Sequence, residues 1–132
     1  MTDPVSRLVE AIDMKDAAGI RAVYAPEARF VGMTPNTFQR ADGAEAVAAK
    51  VAEWFTTWEE DPSFAFLGTV RDGERAVVEF ERTSTYEGNP WVSRQAHVMR
   101  VGPAGITDHR VYCCGPREGT AELAAVYAGS AS

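Results

Sequence analysis

The chain has 132 residues, 45% apolar and 24% charged, with a formal net charge of −6 and a sequence pI of about 4.9. That length suits one domain, 1–132, able to bury a core without staples, with a core over 4–116 and a tail over 117–132. The acidic balance argues against nucleic acid or an anionic membrane as partner, and no 18-residue apolar run offers a membrane span.

The elements follow in chain order. "TDPVSRLVEAIDMKD" opens with a capping residue and Pro4, and Val5, Leu8, Val9 and Ile12 form one helical stripe. Asp16 is placed to cap a second short helix carrying Ile20, Val23 and Tyr24, which Pro26 should end. "ARFVGMT" reads as a strand, and Phe38 to Ala41 as another short one. Asp42 with Glu45 three residues on resembles a capping box, and Val47, Val51, Trp54, Phe55 and Trp58 then recur at helical spacing. The remainder reads as β: Phe64 to Arg71, Arg75 to Tyr86, Trp91 to Val101 and Ile106 to Cys114, separated by Asp72-Gly73, Gly88-Asn89 and Pro103-Ala104-Gly105. The tail carries Leu123, Val126 and Tyr127 in a helical pattern and fades into "AGSAS". The class is therefore α+β, with three helices from the N-terminal half to cover one face of a curved antiparallel sheet.

Both histidines, His97 and His109, flank the Pro103-Ala104-Gly105 step. A three-residue loop there pairs Val101 with Thr107, Met99 with His109 and His97 with Val111, so the imidazoles share a face as diagonal neighbours roughly 7 Å apart. A four-residue loop would send them to opposite faces. A two-residue Gly88-Asn89 loop would pair Arg82 with Gln95, Phe80 with His97 and Val78 with Met99. The inward face then shows Leu67, Val78, Phe80, Arg82, Gln95, His97, Met99, Thr107, His109, Val111 and Cys113, while Glu79, Glu81, Arg94, Arg100, Asp108 and Arg110 face outward. Tyr24, Trp54, Phe55 and Trp58 from the helices complete a mostly apolar, aromatic lining with a few polar groups, the makeup of a small-molecule pocket.

The stretches "LVEAIDMKDAAGIRAVYAPEARFVGM", "ADGAEAVAAKVAEWF" and "HVMRVGPAGITDHRVY" resemble the nuclear transport factor 2-like superfamily, in particular its SnoaL-like branch. The resemblance covers roughly residues 4 to 114. It implies a cone-shaped, cystatin-like α+β fold with a pocket at its open end, and a homodimer formed through the outer sheet face. Members include polyketide cyclases, ketosteroid isomerases, epoxide hydrolases and dehydratases, and others that only bind ligands, so fold alone does not assign function. His97 matches a histidine of the cyclases. The acid that faces it there falls here on Val111, which takes no proton.

The expected catalytic residues are His97, as general base, and His109, donating to a developing enolate or phenolate oxygen. Tyr24, Trp54, Trp58, Phe80, Arg82, Gln95, Met99 and Val111 are the expected substrate contacts. Arg82 and Gln95 suit a carboxylate or a polar ring substituent. No acid joins the histidines on their face, so no metal is expected; nor is any other cofactor, and Cys113 is read as packing. The adjacent cysteines, Cys113 and Cys114, point to reduced thiols and a cytoplasmic protein. The expected activity is cofactor-independent acid/base chemistry (cyclisation, isomerisation or dehydration) on a small apolar cyclic carbonyl or phenolic compound. The alternatives are a non-catalytic ligand-binding dimer or a protein-interaction module.

Overall fold

A computed structural model describes residues 3–56, 62–115 and 117–130. Helix α1 (Pro4–Asp13) starts as its sequence dictates: Asp3 accepts the Ser6 N–H and Pro4 occupies the first turn. Asp16 accepts the Gly19 N–H at 3.0 Å and so starts α2 (Ala17–Ala22). Strands β1 (Tyr24–Met33) and β2 (Phe38–Asp42) form a hairpin, followed by α3 (Ala44–Thr56). Strands β3 (Ser63–Asp72), β4 (Arg75–Tyr86), β5 (Asn89–Gly102) and β6 (Gly105–Cys113) make the meander, and β7 (Arg117–Glu118) and α4 (Ala121–Ser130) end the chain.

Six strands lie in the order β2-β1-β6-β5-β4-β3, with β7 beside β5. All pairings are antiparallel except β1 with β6. That parallel pair places the start of the β1–β2 hairpin next to the last long strand. The core forms where Val5, Leu8 and Ile12 of α1, Ile20 of α2, and Val47, Val51 and Phe55 of α3 meet Phe30, Val78, Phe80, Met99, Ile106 and Val111 of the sheet.

Several expectations change in the structure. Tyr24 is not on the second helix; it opens β1, and Pro26 lies inside that strand. Proline brings no N–H to the ladder, and the β1–β6 register shifts between Tyr24 and Arg29, across it. The cap of α3 is Gly43 rather than Asp42: the Gly43 carbonyl accepts the Val47 N–H at 2.9 Å, whereas Asp42 pairs with Arg29 in β2. Leu67 sits at a bulge between Phe66 and Gly68 and is 42% exposed, so it leaves the inward face.

The β4–β5 hairpin turns on Glu87-Gly88, both with positive φ (50° and 79°), the requirement of a two-residue turn of the I′ kind. Tyr86 pairs with Asn89, so Arg82 meets Ser93, Phe80 meets Gln95, Val78 meets His97 and Ala76 meets Met99. The register is two residues from the expected one. An even shift preserves the face of every residue but moves each to a different depth. In the β5–β6 hairpin, Met99 pairs with His109 and His97 with Val111 as expected. A bulge next to the turn then pairs Val101 with Ile106 in place of Thr107. Gly105 allows this tight turn: its φ is +126°, and a Cβ there would stand 2.5 Å from the Val23 carbonyl oxygen. The Ile106 N–H donates to that same oxygen at 2.9 Å, which anchors the α2–β1 junction to the start of β6.

Candidate functional site

The inward positions of β5 run Ser93, Gln95, His97, Met99, and all four are buried. Across from them, β4 presents Arg82, Phe80, Val78 and Ala76, and β6 presents Cys113, Val111 and His109. The helices and β1 close over part of this face. His97 and His109 have no exposed surface at all. Phe55 and Phe80 flank His97, with ring centroids at 5.3 and 5.0 Å, and Phe30 meets His109 edge-on at 5.4 Å.

A hydrogen-bonded chain threads this packing. The Tyr24 hydroxyl lies 2.7 Å from His109 Nδ1, His109 Nε2 lies 2.8 Å from His97 Nδ1, and His97 Nε2 lies 3.0 Å from Gln95 Oε1. Gln95 Nε2 donates in turn to Cys113 Sγ at 3.7 Å. The directions follow from the ends. Gln95 Oε1 only accepts, so His97 Nε2 carries a proton, and a neutral His97 must accept at Nδ1. His109 then donates from Nε2 and accepts the Tyr24 O–H at Nδ1. Every polar atom of the two imidazoles is satisfied with both rings neutral. Electrostatics agree: burial, and then the neighbouring His109, hold His97 well below the ordinary imidazole value. Burial takes His109 down to about 3, and it pushes the Tyr24 phenol well above its usual range.

Beside the Gln95 end of the chain is a cavity of about 140 Å³ lined by Thr34, Gln39, Trp54, Arg82, Ser93, Gln95 and Cys113. Trp54 closes one side. A Cβ at Gly32 would come within 2.5 Å of its ring, and its indole N–H donates to Gln39 Oε1 at 3.0 Å. Arg82 is 6% exposed and donates from Nη1 to Ser84 Oγ at 3.2 Å. Ser93 is 2% exposed and Gln95 5%. The cavity thus joins an indole face to a cation, a hydroxyl, an amide and a thiol.

Of the expected contacts, Trp54, Arg82 and Gln95 line this cavity. His97, His109, Tyr24, Phe80, Met99 and Val111 are brought together, but in the sealed layer beneath it, as members of the core or of the hydrogen-bonded chain. Trp58 lies outside the described residues. Sequence reasoning left out Ser93, Gln39 and Thr34. Ser93 was within reach, since period two carried back from Gln95 lands on it; Gln39 and Thr34 enter only through the β1–β2 hairpin. Among the described residues, no three histidine, cysteine or acidic side chains gather as a metal site, and no helix is long and apolar enough to cross a membrane.

The family model for the SnoaL-like domain matches residues 5–109. The chain belongs to the SnoaL-like family. No curated protein matches it. Among solved structures, this SnoaL-like chain is similar to a nuclear transport factor 2-like protein of unknown function from Mesorhizobium loti, at 21% identity and a TM-score of 0.72 over 85% of this chain and 88% of that one. It is also similar to a nuclear transport factor 2-like protein from Burkholderia thailandensis, at 23% identity and a TM-score of 0.70 over 86% and 92% of the two chains. A third similar structure is a hypothetical protein with a ketosteroid isomerase-like fold from Catenulispora acidiphila in complex with trimethylamine, at 16% identity and a TM-score of 0.67 over 85% of each chain. These likenesses establish the α+β fold of the superfamily.

Proposed function

We propose that this SnoaL-like chain binds a small molecule that carries an oxyanion or carbonyl oxygen at one end and an apolar ring at the other. The observation that carries the reading is the convergence of three buried polar side chains, Arg82, Ser93 and Gln95, in one cavity wall next to Trp54. A buried guanidinium, a hydroxyl and an amide suit oxygen atoms, and an indole face suits a ring. The histidine pair supports this role from below. It holds the Gln95 amide in one orientation, which fixes the wall. Calorimetric titration with benzoate and its neutral isostere benzamide tests the reading. Benzoate should bind more tightly than benzamide, and Arg82→Gln should remove that preference. If neither ligand binds the folded protein, the cavity reading is wrong.

A second reading, cofactor-independent acid/base catalysis, is favoured by the hydrogen-bonded chain itself. It ends on Gln95, which accepts from His97 Nε2 and itself lines the cavity. A swing of the Gln95 side chain, with the protons of the chain reversed so that His97 donates from Nδ1 to His109 Nε2 and His109 donates from Nδ1 to the Tyr24 oxygen, would leave the His97 Nε2 lone pair free to take a proton from a carbon next to a carbonyl. Cyclisation, isomerisation and dehydration of a small cyclic carbonyl or phenolic compound all begin that way. Cyclohexanone in deuterated water reports it: the wild-type protein should speed deuterium uptake at the α-carbon and His97→Gln should not. Equal uptake with both proteins leaves binding as the function.

A further inference from the structure

Cys113 stands at the end of β6 opposite Gln95, and its sulfur side lies in the cavity wall. Its neighbour Cys114 does not line that cavity. The two sulfurs are bonded differently. Cys114 Sγ donates to the Gly115 carbonyl at 3.3 Å and accepts the Arg94 N–H at 3.3 Å. Cys113 Sγ accepts from Gln95 Nε2 at 3.7 Å and from the Gly115 N–H at 3.4 Å, and among the described residues it donates to nothing. Two N–H groups are therefore aimed at this sulfur, the nucleophilic atom of thiol chemistry. A second feature of the wall is Ser93: it is 2% exposed, it faces the cavity, and its hydroxyl has no partner among the described residues.

We propose that Cys113 is a covalent-modification site for a small α,β-unsaturated carboxylate or carbonyl compound. The thiol chemistry stands on its own geometry, whereas the orientation of the electrophile rests on the cavity reading above, with its oxygen toward Arg82 and Ser93. Sγ forms a bond to the β-carbon, and the carbon–carbon π pair moves to the α-carbon and its carbonyl, giving an enolate whose oxygen faces the guanidinium and the hydroxyl. The thiol proton passes to water as the sulfur attacks, and water returns one proton to the α-carbon. The product is a saturated thioether; nothing is oxidised or reduced and no co-reactant is needed.

Acrylate and acrylamide are the probes. Tryptic cleavage after Arg110 and Arg117 releases "VYCCGPR", in which fragment ions separate an adduct on Cys113 from one on Cys114. Acrylate should label Cys113 about tenfold or more faster than Cys114 in the same molecule. Arg82→Gln should slow acrylate labelling of Cys113 by about tenfold and acrylamide labelling by less, since acrylamide loses a hydrogen bond to its oxygen but no charge pairing; Ser93→Ala gives the same test in smaller measure should Arg82→Gln fail to fold. Benzoate should protect Cys113 and not Cys114. Equal labelling of the two thiols, or preferred labelling of Cys114, overturns the proposal even where benzoate binds and the cavity reading stands. Selective labelling of Cys113 that favours acrylamide, with no benzoate protection, overturns the carboxylate class and the cavity reading together.

Discussion

Two positions apart on one strand, Gln95 and His97 belong to different environments. Gln95 lines a cavity with Ser93, Arg82, Trp54 and Cys113. His97 and, one strand over, His109 are sealed among Phe30, Phe55 and Phe80. Both regions use the same inward face of the same sheet. The contrast teaches that the face of a residue, set by the twofold alternation of a strand, is a different property from its depth, set by what packs above it. It also separates two kinds of polar group. Those of the sealed layer are all hydrogen-bonded, to one another and, at the His97 Nε2 end, to Gln95 of the wall. Those of the cavity wall border open space, and it is there that the proposed ligand would find donors.

The sharpest way to break this comparison is to remove a member of the sealed chain. His109→Leu leaves the Tyr24 hydroxyl and His97 Nδ1 without their partner in a buried layer where His97 has no exposed surface and Tyr24 almost none. Unfolding in urea should show a loss of about 3–5 kcal/mol. A loss below about 1 kcal/mol would mean that water reaches the pair and that the two regions are not distinct.

The next effect is on pH dependence. Unfolded histidine titrates near pH 6.5, and burial lowers His97 well below that and His109 to about 3. Between these values the unfolded chain binds more protons than the folded one. Their contribution to stability is therefore complete above about pH 6.5 and is lost progressively as pH falls toward 3. His109 alone should account for about 2 kcal/mol between pH 6.5 and 5, with His97 adding in the same direction. Urea midpoints across that range measure it, and a flat profile would refute neutral burial.

Tyr24→Phe tests the far end of the chain at smaller cost. It keeps the ring and removes only the hydroxyl that His109 Nδ1 accepts from, so a loss of about 1–2 kcal/mol is expected. Ligand affinity in the cavity should hardly move, since Tyr24 is not in its wall. A large fall in benzoate affinity would show that the sealed layer and the cavity act as one unit.

The smallest effect concerns the turn that sets depth on β4 and β5. Glu87 holds a positive φ of 50° without being glycine. Glu87→Asn, with a residue more tolerant of that conformation, should stabilise the protein by about 0.5–1 kcal/mol, read as a higher melting temperature. Destabilisation would argue that the turn does not form on Glu87-Gly88.

Much of this was legible in the chain itself. The caps at Asp3 and Asp16, the apolar stripe of α1, the four meander strands and the shared face of His97 and His109 all follow from local patterns: a side-chain oxygen before a helix, alternation along a strand, a short loop with glycine at its end. Local rules also erred where two neighbouring turns competed. Glu87-Gly88 and Gly88-Asn89 differ by one step, and the choice slid β5 by two positions against β4. Parity survived on β4 and β5, so the inward residues held except at the Leu67 bulge and at Thr107, whose place opposite Val101 goes to the buried Ile106, but Arg82 found Ser93 opposite it in place of Gln95.

What the sequence by itself determined is which residues face inward and that an α+β sheet-and-helix core would cover them, because periodicity is a property of adjacent residues. What only the tertiary structure decided is depth and partnership. Tyr24 reaches His109 across 85 positions because β1 runs parallel beside β6, and Trp54 closes the cavity because glycine at position 32 lets its ring approach. Those relations depend on how distant segments pack, and no local spacing encodes them.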